Sequence, residues 1–285
     1  MGLVKNRHTA NFVDMEKTAP NIAPASGLIN HRVSMAHFDL IRIGPSDALK
    51  PFVENYWIIL WDLSGKPDYV QENLPHPSIN LVVDPMGQSG IFGAQNHKFV
   101  YRLSGAGRIF GVKFWPGAFY NFYGAAVKEL GGTHVEIEKV FGIHDAELDK
   151  KFLQVNDPIH LSASIEKMLL DQQPILDFGA REARRLVEIV SKAPAIVRVS
   201  ELAKIAQLSE RSLQRLFDTY VGVSPKWVID RYRMLAAVDA LNRGEQINLT
   251  DLAHQLGYFD SAHFGRAFKA LTGISPSTVA NLILT

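Results

Sequence analysis

Two stretches of the chain repeat one pattern, and that repeat restricts the fold more than any other feature. VSELAKIAQLSERSLQRLFDTYVGVSP, residues 199 to 225, aligns with LTDLAHQLGYFDSAHFGRAFKALTGISP, residues 249 to 276. Leu202-Ala203 falls on Leu252-Ala253, and Leu213, Leu216 and Phe217 fall on Phe264, Ala267 and Phe268. Gly222-Val223-Ser224-Pro225 falls on Gly273-Ile274-Ser275-Pro276. The offset grows from 50 to 51 along this alignment, so the second turn holds one extra residue.

The apolar positions Leu213, Leu216, Phe217 and Tyr220 follow i, i+3, i+4, i+7. Phe264, Ala267, Phe268 and Leu271 do the same, so each set makes one buried stripe on a helix. Each copy therefore reads as a helix-turn-helix. Ser200 and Thr250 are the expected caps of the first helices, Ser209 and Asp260 of the second, because their side-chain oxygens accept orphan backbone N–H groups. Gly257 suits a left-handed turn residue, and Gln207 holds that place in the first copy at a higher conformational cost. Gly222 and Gly273 end the second helices, and the prolines three residues later prevent resumption. PKWVIDRYRMLAAVDALN, 225 to 242, is expected to be one connecting helix. At about 1.5 Å per residue it spans roughly 25 Å. Such a strut can hold two helices about one DNA turn, near 34 Å, apart.

The polar faces left over carry the chemistry. They are Arg211, Gln214, Arg215 and Asp218 in the first copy, and Ser261, Ala262, Gly265, Arg266 and Lys269 in the second. A helix that reads the major groove needs planar donors for guanine, amides for adenine and small residues where bases come close. Arg211, Gln214, Arg215 and Arg266 supply the first two, Ala262 and Gly265 the third, and Lys269 suits a phosphate. Arg231 and Arg233 on the strut are weaker phosphate candidates. Exposed arginines are often only solvated, but duplication at a fixed spacing favours a reading surface.

With these residues in view, the segment from about 195 to 280 resembles the AraC/XylS-type transcription regulators. SELAKIAQLSERSLQRLFDTYVGVSPKWV, RYRMLAAVDAL and LAHQLGYFDSAHFGRAFKALTGISP carry the resemblance over about a third of the chain. It implies a DNA-binding transcription regulator with both second helices in adjacent major grooves. It also places the base-reading positions on Arg211, Gln214, Arg215, Ser261, Ala262 and Arg266.

The rest of the chain has a different texture. Residues 1–34 are polar and aperiodic and are expected to be a flexible tail. Residues 35–143 hold short β-branched and aromatic runs: MAHFDLIRIG, FVENYWIILWDL, SINLVVDP, KFVYRLSG and RIFGVKFWP. Their turn-punctuated spacing predicts a β-rich, sandwich- or barrel-like sensing domain. PFVENYWIILWD and GVKFWPGAFYNFYGAAVKEL resemble an uncharacterised N-terminal domain of some such regulators. Residues 144–193 form a helical connector, and 194–285 the double helix-turn-helix domain, giving an α+β multidomain fold class overall. Leu186, Val187 and Val190 make an apolar stripe on the connector that serves self-association or intramolecular packing.

Trp57, Trp61, Glu72, His76, Tyr101 and Trp115 are the candidate ligand-pocket residues, although aromatics at strand spacing also build ordinary cores. The alternative is a metal-binding or catalytic β domain around Glu72, His76 and His97, with the helical tail as adaptor. The histidines lack ligand spacing on one strand or helical turn, so no metal or other cofactor is expected. Nucleophile elbow, phosphate loop, dinucleotide fingerprint and zinc-protease motifs are absent, so enzyme activity is not expected. Cysteine is absent, which excludes disulfides and thiolate chemistry. No uncharged apolar run of about 18 residues occurs. The expected setting is cytoplasmic, with no membrane partner. Double-stranded DNA is the expected partner, and a small-molecule effector and a second copy of the chain are candidates.

Overall fold

The computed structural model describes residues 27–29, 31–95, 97–131, 134–155, 157–243 and 247–284. Six strands form an antiparallel sheet in the order β1-β2-β7-β4-β5-β8. They are β1 (Asp39–Ile43), β2 (Val53–Asp62), β4 (Asn80–Val83), β5 (Gly90–Phe92), β7 (Ala106–Phe114) and β8 (His134–Val135). β3 (Tyr69–Asn73) and β6 (Phe99–Leu103) pair as a separate ribbon. Strand alternation gives the large sheet two apolar faces. Tyr56, Ile58, Leu81, Phe110, Val112 and Phe114 point to one core. Trp57, Ile59, Trp61 and Ile109 belong to the other, together with Tyr69, Tyr101 and Leu103 of the ribbon.

The first core is closed by helices. A short α1 (His31–Ser34) precedes β1, and α2 (Tyr120–Tyr123) follows β7. A 3₁₀ turn (Val127–Leu130) leads to β8, then α3 (Ile137–Phe141), α4 (Asp145–Gln154) and α5 (Pro158–Asp171). Phe119, Phe122, Phe141, Phe152 and Leu169 fill the space against the sheet. On the other face the two tryptophans have room because β7 places glycines opposite them. Trp57 pairs with Gly111 and Trp61 with Gly107. A Cβ on Gly111 would stand 2.1 Å from the Trp57 ring, and one on Gly107 2.3 Å from that of Trp61. The alternating glycines of AGRIFGVKF are therefore required by indole packing.

The C-terminal half comprises α6 (Phe178–Lys192), α7 (Val199–Ala206), α8 (Glu210–Tyr220), α9 (Pro225–Asn242), α10 (Leu249–Gln255), α11 (Ser261–Thr272) and α12 (Pro276–Leu284). α9 is the connecting helix over the residues the sequence specifies. Ser224 caps it, its hydroxyl accepting from Trp227 N at 3.1 Å, and Pro225 opens it. Val228 and Ile229 join the core of the first helix-turn-helix, while Met234, Leu235, Val238 and Leu241 join that of the second. One helix thus belongs to both units. Leu186, Val187 and Val190 of α6 pack on Leu213 and Phe217, so this stripe is buried within the chain's own first unit.

Several expectations need correction. Leu28 and Ile29 are packed rather than tail-like. Leu28 and Ile29 are buried, Leu28 bridges to Asn73, and Asn242 Nδ2 donates to Leu28 O at 2.9 Å. An apolar pair in a polar stretch found a groove between the β domain and α9. Residues 1–26 and 30 of the tail lie outside the described residues. The caps of α7 and α10 also differ. Arg198 holds the first cap position with no side-chain bond, and Asn248 the second, accepting from Thr250 N and Asp251 N. Ser200 and Thr250 sit one turn-step further in, within the helices.

The turn of the first unit carries a local cost. Gln207 adopts φ 55°, a left-handed conformation, and is exposed. Its counterpart Gly257 adopts φ 72°. Gln207→Gly removes the Cβ penalty and is expected to stabilise the chain by about 0.5–1 kcal/mol, less the entropy that glycine adds to the unfolded state. Urea unfolding monitored by circular dichroism measures this. The reverse change, Gly257→Gln, adds strain and places a Cβ 2.5 Å from Val197 Cγ1, so it is expected to destabilise.

Candidate nucleic-acid interface

Each second helix begins at a firm cap. Ser209 Oγ accepts from Ser212 N at 3.1 Å, and Asp260 Oδ1 accepts from His263 N at 2.6 Å. The cap fixes where the first turn starts and hence which side chains leave the core. Phe217 and Phe268 are fully buried, with Leu213 and Phe264 one turn earlier. Arg211 and Arg215 of α8 emerge exposed, as do Ser261, Ala262, Arg266 and Lys269 of α11. Asp260→Ala is expected to cost about 1 kcal/mol through loss of the cap, measurable as a lower urea midpoint.

The cations on these faces differ from a set of others in the chain. Lys50, Lys98, Arg102, Lys113, Lys151, Lys167, Arg185 and Lys192 all lie in ion pairs with carboxylates. Arg211, Arg215, Arg266 and Lys269 form no ion pair among the described residues. Their charges are thus available to an external anion. Gln214 is half-buried, and its Nε2 donates to Asp218 Oδ1 at 2.7 Å. Asp218 in turn pairs with Lys128 of the 3₁₀ turn at 2.9 Å. Gln214 must leave this network before it can read a base.

Arg231 and Arg233 do not face outward. Both are buried on α9. The Arg231 guanidinium lies 4.5 Å above the Trp227 ring, and burial pushes its ionisation down to about 10. Arg233 Nε donates to Leu256 O at 2.6 Å, and its guanidinium stacks 4.0 Å from the Tyr258 ring. Arg233 therefore fastens α9 to the end of α10, a structural role that the sequence did not separate from a phosphate contact.

Contacts also join the β domain to α8 and α11. Besides Lys128 and Asp218, Tyr220 OH donates to Asp177 Oδ2 at 2.9 Å, and its ring lies 4.5 Å from that of Tyr120. Burial and the Asp177 carboxylate push the Tyr220 phenol up to about 12. Lys98 Nζ donates to Thr272 O at 3.3 Å, at the C-terminal end of α11, where cationic charge complements the helix dipole.

Three of the six pocket candidates come together and three do not. Trp57, Trp61 and Tyr101 come together between the sheet and the ribbon. Their polar atoms are engaged: Trp57 Nε1 donates to Asn80 Oδ1, Trp61 Nε1 to Ser104 O, and Tyr101 OH to Asp84 Oδ2. Glu72 faces away from them and pairs with Lys98 at 2.6 Å. His76 packs edge-on against Tyr232 of α9. Trp115 lies beyond the opposite core, with Arg184 of α6 stacked 4.0 Å over its ring. Gln71, which the sequence reading passed over, points to the same side of β3 as Tyr69. It is buried, its Nε2 donates to Glu72 O and Asn73 Oδ1, and its Oε1 has no hydrogen-bond partner among the described residues. Among the described residues no three His, Asp or Glu side chains converge as a metal site, and no helix is long and apolar enough to cross a membrane.

Two family profiles match the chain. Residues 202–281 match a helix-turn-helix domain, and residues 41–136 match a domain of unknown function, DUF6597. YidL, an uncharacterised HTH-type transcriptional regulator of Escherichia coli, is 37% identical over 82 residues, 28% of this chain and 27% of its own. The XylDLEGF operon transcriptional activator 1 of Pseudomonas putida is 24% identical over 272 residues, 88% of this chain and 84% of its own. An uncharacterised HTH-type regulator of Haemophilus influenzae is 28% identical over 120 residues, 41% of this chain, so the chain spans only about two-fifths (39%) of that relative's length. Among solved structures, ToxT of Vibrio cholerae O395 aligns with a TM-score of 0.40 at 13% identity, covering 80% of this chain and 98% of that one. An AraC-type regulator of Chromobacterium violaceum aligns at 0.34 and 18% identity, covering 37% and 94%.

The capped duplicated helices on a shared strut, with the profile match over the same residues, make the C-terminal third a double helix-turn-helix DNA-binding domain. The same residues carry the resemblance to the AraC/XylS-type regulators, and the chain is similar to the XylDLEGF operon activators over 272 residues.

Proposed function

We propose that the chain is a cytoplasmic, sequence-specific transcription regulator that lays α8 and α11 in successive major grooves of one duplex. Arg211, Gln214 and Arg215 read bases in one groove, and Ser261, Ala262 and Arg266 in the next, with Lys269 on the backbone. The observation that carries this is the set of cations that form no ion pair among the described residues, on the exposed faces of two equivalent, capped helices. Selection of bound sequences from a random duplex pool, with the full-length chain, tests it. Two enriched motifs about one helical turn apart are expected. Equal, weak binding to every duplex would end this reading.

The β domain is the proposed control element, acting through a small effector or through self-association. Its supports are the unmatched Gln71 Oε1 between sheet and ribbon, which a donor group could satisfy, and the Lys128 and Lys98 contacts that reach the ends of both reading helices. A change in the β domain would reach DNA through these contacts.

A further inference from the structure

The two turns differ by one residue, and hydrogen bonds identify it. Leu208 N donates to Ala203 O at 3.0 Å, and Tyr258 N donates to Ala253 O at 2.9 Å, so these bonds are equivalent. Gln207 and Gly257, the left-handed residues just before them, are equivalent too. In the first unit the cap Ser209 follows Leu208 directly. In the second, one residue intervenes between Tyr258 and the cap Asp260: Phe259.

Phe259 is 86% exposed, the highest value among the exposed large hydrophobic residues described. Its neighbours hold it in place. Tyr258 is buried against Phe264 and beneath the Arg233 guanidinium, and Asp260 caps α11. The inserted ring is thus anchored on both sides, yet nothing in the described chain covers it. It stands at the N-terminal edge of α11, beside Ser261 and Ala262, the part of a recognition helix that enters the groove. Those two side chains are small and leave room beside the helix. The C5-methyl of thymine is the apolar group the major-groove edges offer, and phenylalanine is one of the side chains that pack on it.

We infer that Phe259 is a specificity-determining residue that packs on a thymine methyl at the edge of the second half-site. This rests on the DNA-reading function proposed above. The test uses full-length chain and the duplex enriched by selection. Affinities are measured for the wild type and for Phe259→Ala and Phe259→Ser, on that duplex and on copies with each thymine in turn replaced by deoxyuridine, which removes only the methyl. At one thymine the replacement is expected to weaken wild-type binding roughly fourfold, the fold-change for one buried methyl-sized group. The variants should lose at least as much on the thymine duplex and show no further loss on the uracil one. Variants that bind as the wild type does, or that keep the full thymine-to-uracil effect at every position, overturn the inference. The first of those results would leave Phe259 exposed for something other than DNA. A wild type that binds all duplexes alike removes the reading function itself, a different result from selective binding indifferent to Phe259. Because the ring is exposed, the variants should unfold at the wild-type urea midpoint, so lost binding is not lost structure.

Discussion

Phe268→Ala is expected to lower the unfolding free energy by about 3–5 kcal/mol, the usual range for truncating a fully buried phenylalanine. Phe268 is completely buried and meets Phe264 edge-to-face with centroids 5.7 Å apart. Leu252 and Ala253 of α10 and Val238 of α9 belong to the same core cluster. The strut α9 and helices α10 and α12 cannot all close over an alanine without moving, so the lost area is compounded by a cavity. The loss should appear as a lower urea midpoint. Phe217→Ala is expected to cost a similar amount, because Phe217 holds the same place in the first unit and is equally buried. A cost below about 1 kcal/mol for either would mean that the stripe is not a core at all.

That equivalence was legible in the sequence because both stripes depend on local periodicity. The i, i+3, i+4, i+7 pattern, the caps Ser209 and Asp260 and the Ser224-Pro225 start of α9 act within a turn or two of themselves. The features that sequence reading missed depend on distant partners. β3 reads YVQEN and is mostly polar, so nothing local marks it as a strand; it exists because β6 pairs with it and Tyr69 meets the tryptophan face. β5 and β8 are three and two residues long, too short to show alternation. Leu28 and Ile29 look like tail until α9 offers Asn242 and an apolar groove. Arg231 and Arg233 look like Arg215 in the sequence; only the placement of Trp227 and Tyr258 separates the buried arginines from the exposed one. The pocket candidates failed to group for a similar reason. Trp57 and Trp61 share a face because both lie at odd positions of β2, but Trp115 lies one residue past the end of β7, where the chain leads into α2 and Arg184 of α6 covers the ring.

Arg266→Ala is expected to cost about 1–3 kcal/mol at particular base pairs of one half-site, and little at the other. Arg266 and Arg215 are equivalent by the repeat, both exposed, and neither is held by a carboxylate among the described residues. Each should therefore act only on its own groove: Arg215→Ala relaxes the first motif, Arg266→Ala the second. Lys269→Ala should behave differently, weakening binding to all sequences alike and reducing the salt slope by about one. None of these exposed changes should move the urea midpoint by more than about 0.5 kcal/mol equivalent. Affinity measured against single-base variants of the selected site, at two salt concentrations, separates the three behaviours. If Arg266→Ala weakens binding equally at every base pair, the residue is a phosphate contact, and the second groove is read by Ser261, Ala262 and the turn ahead of them.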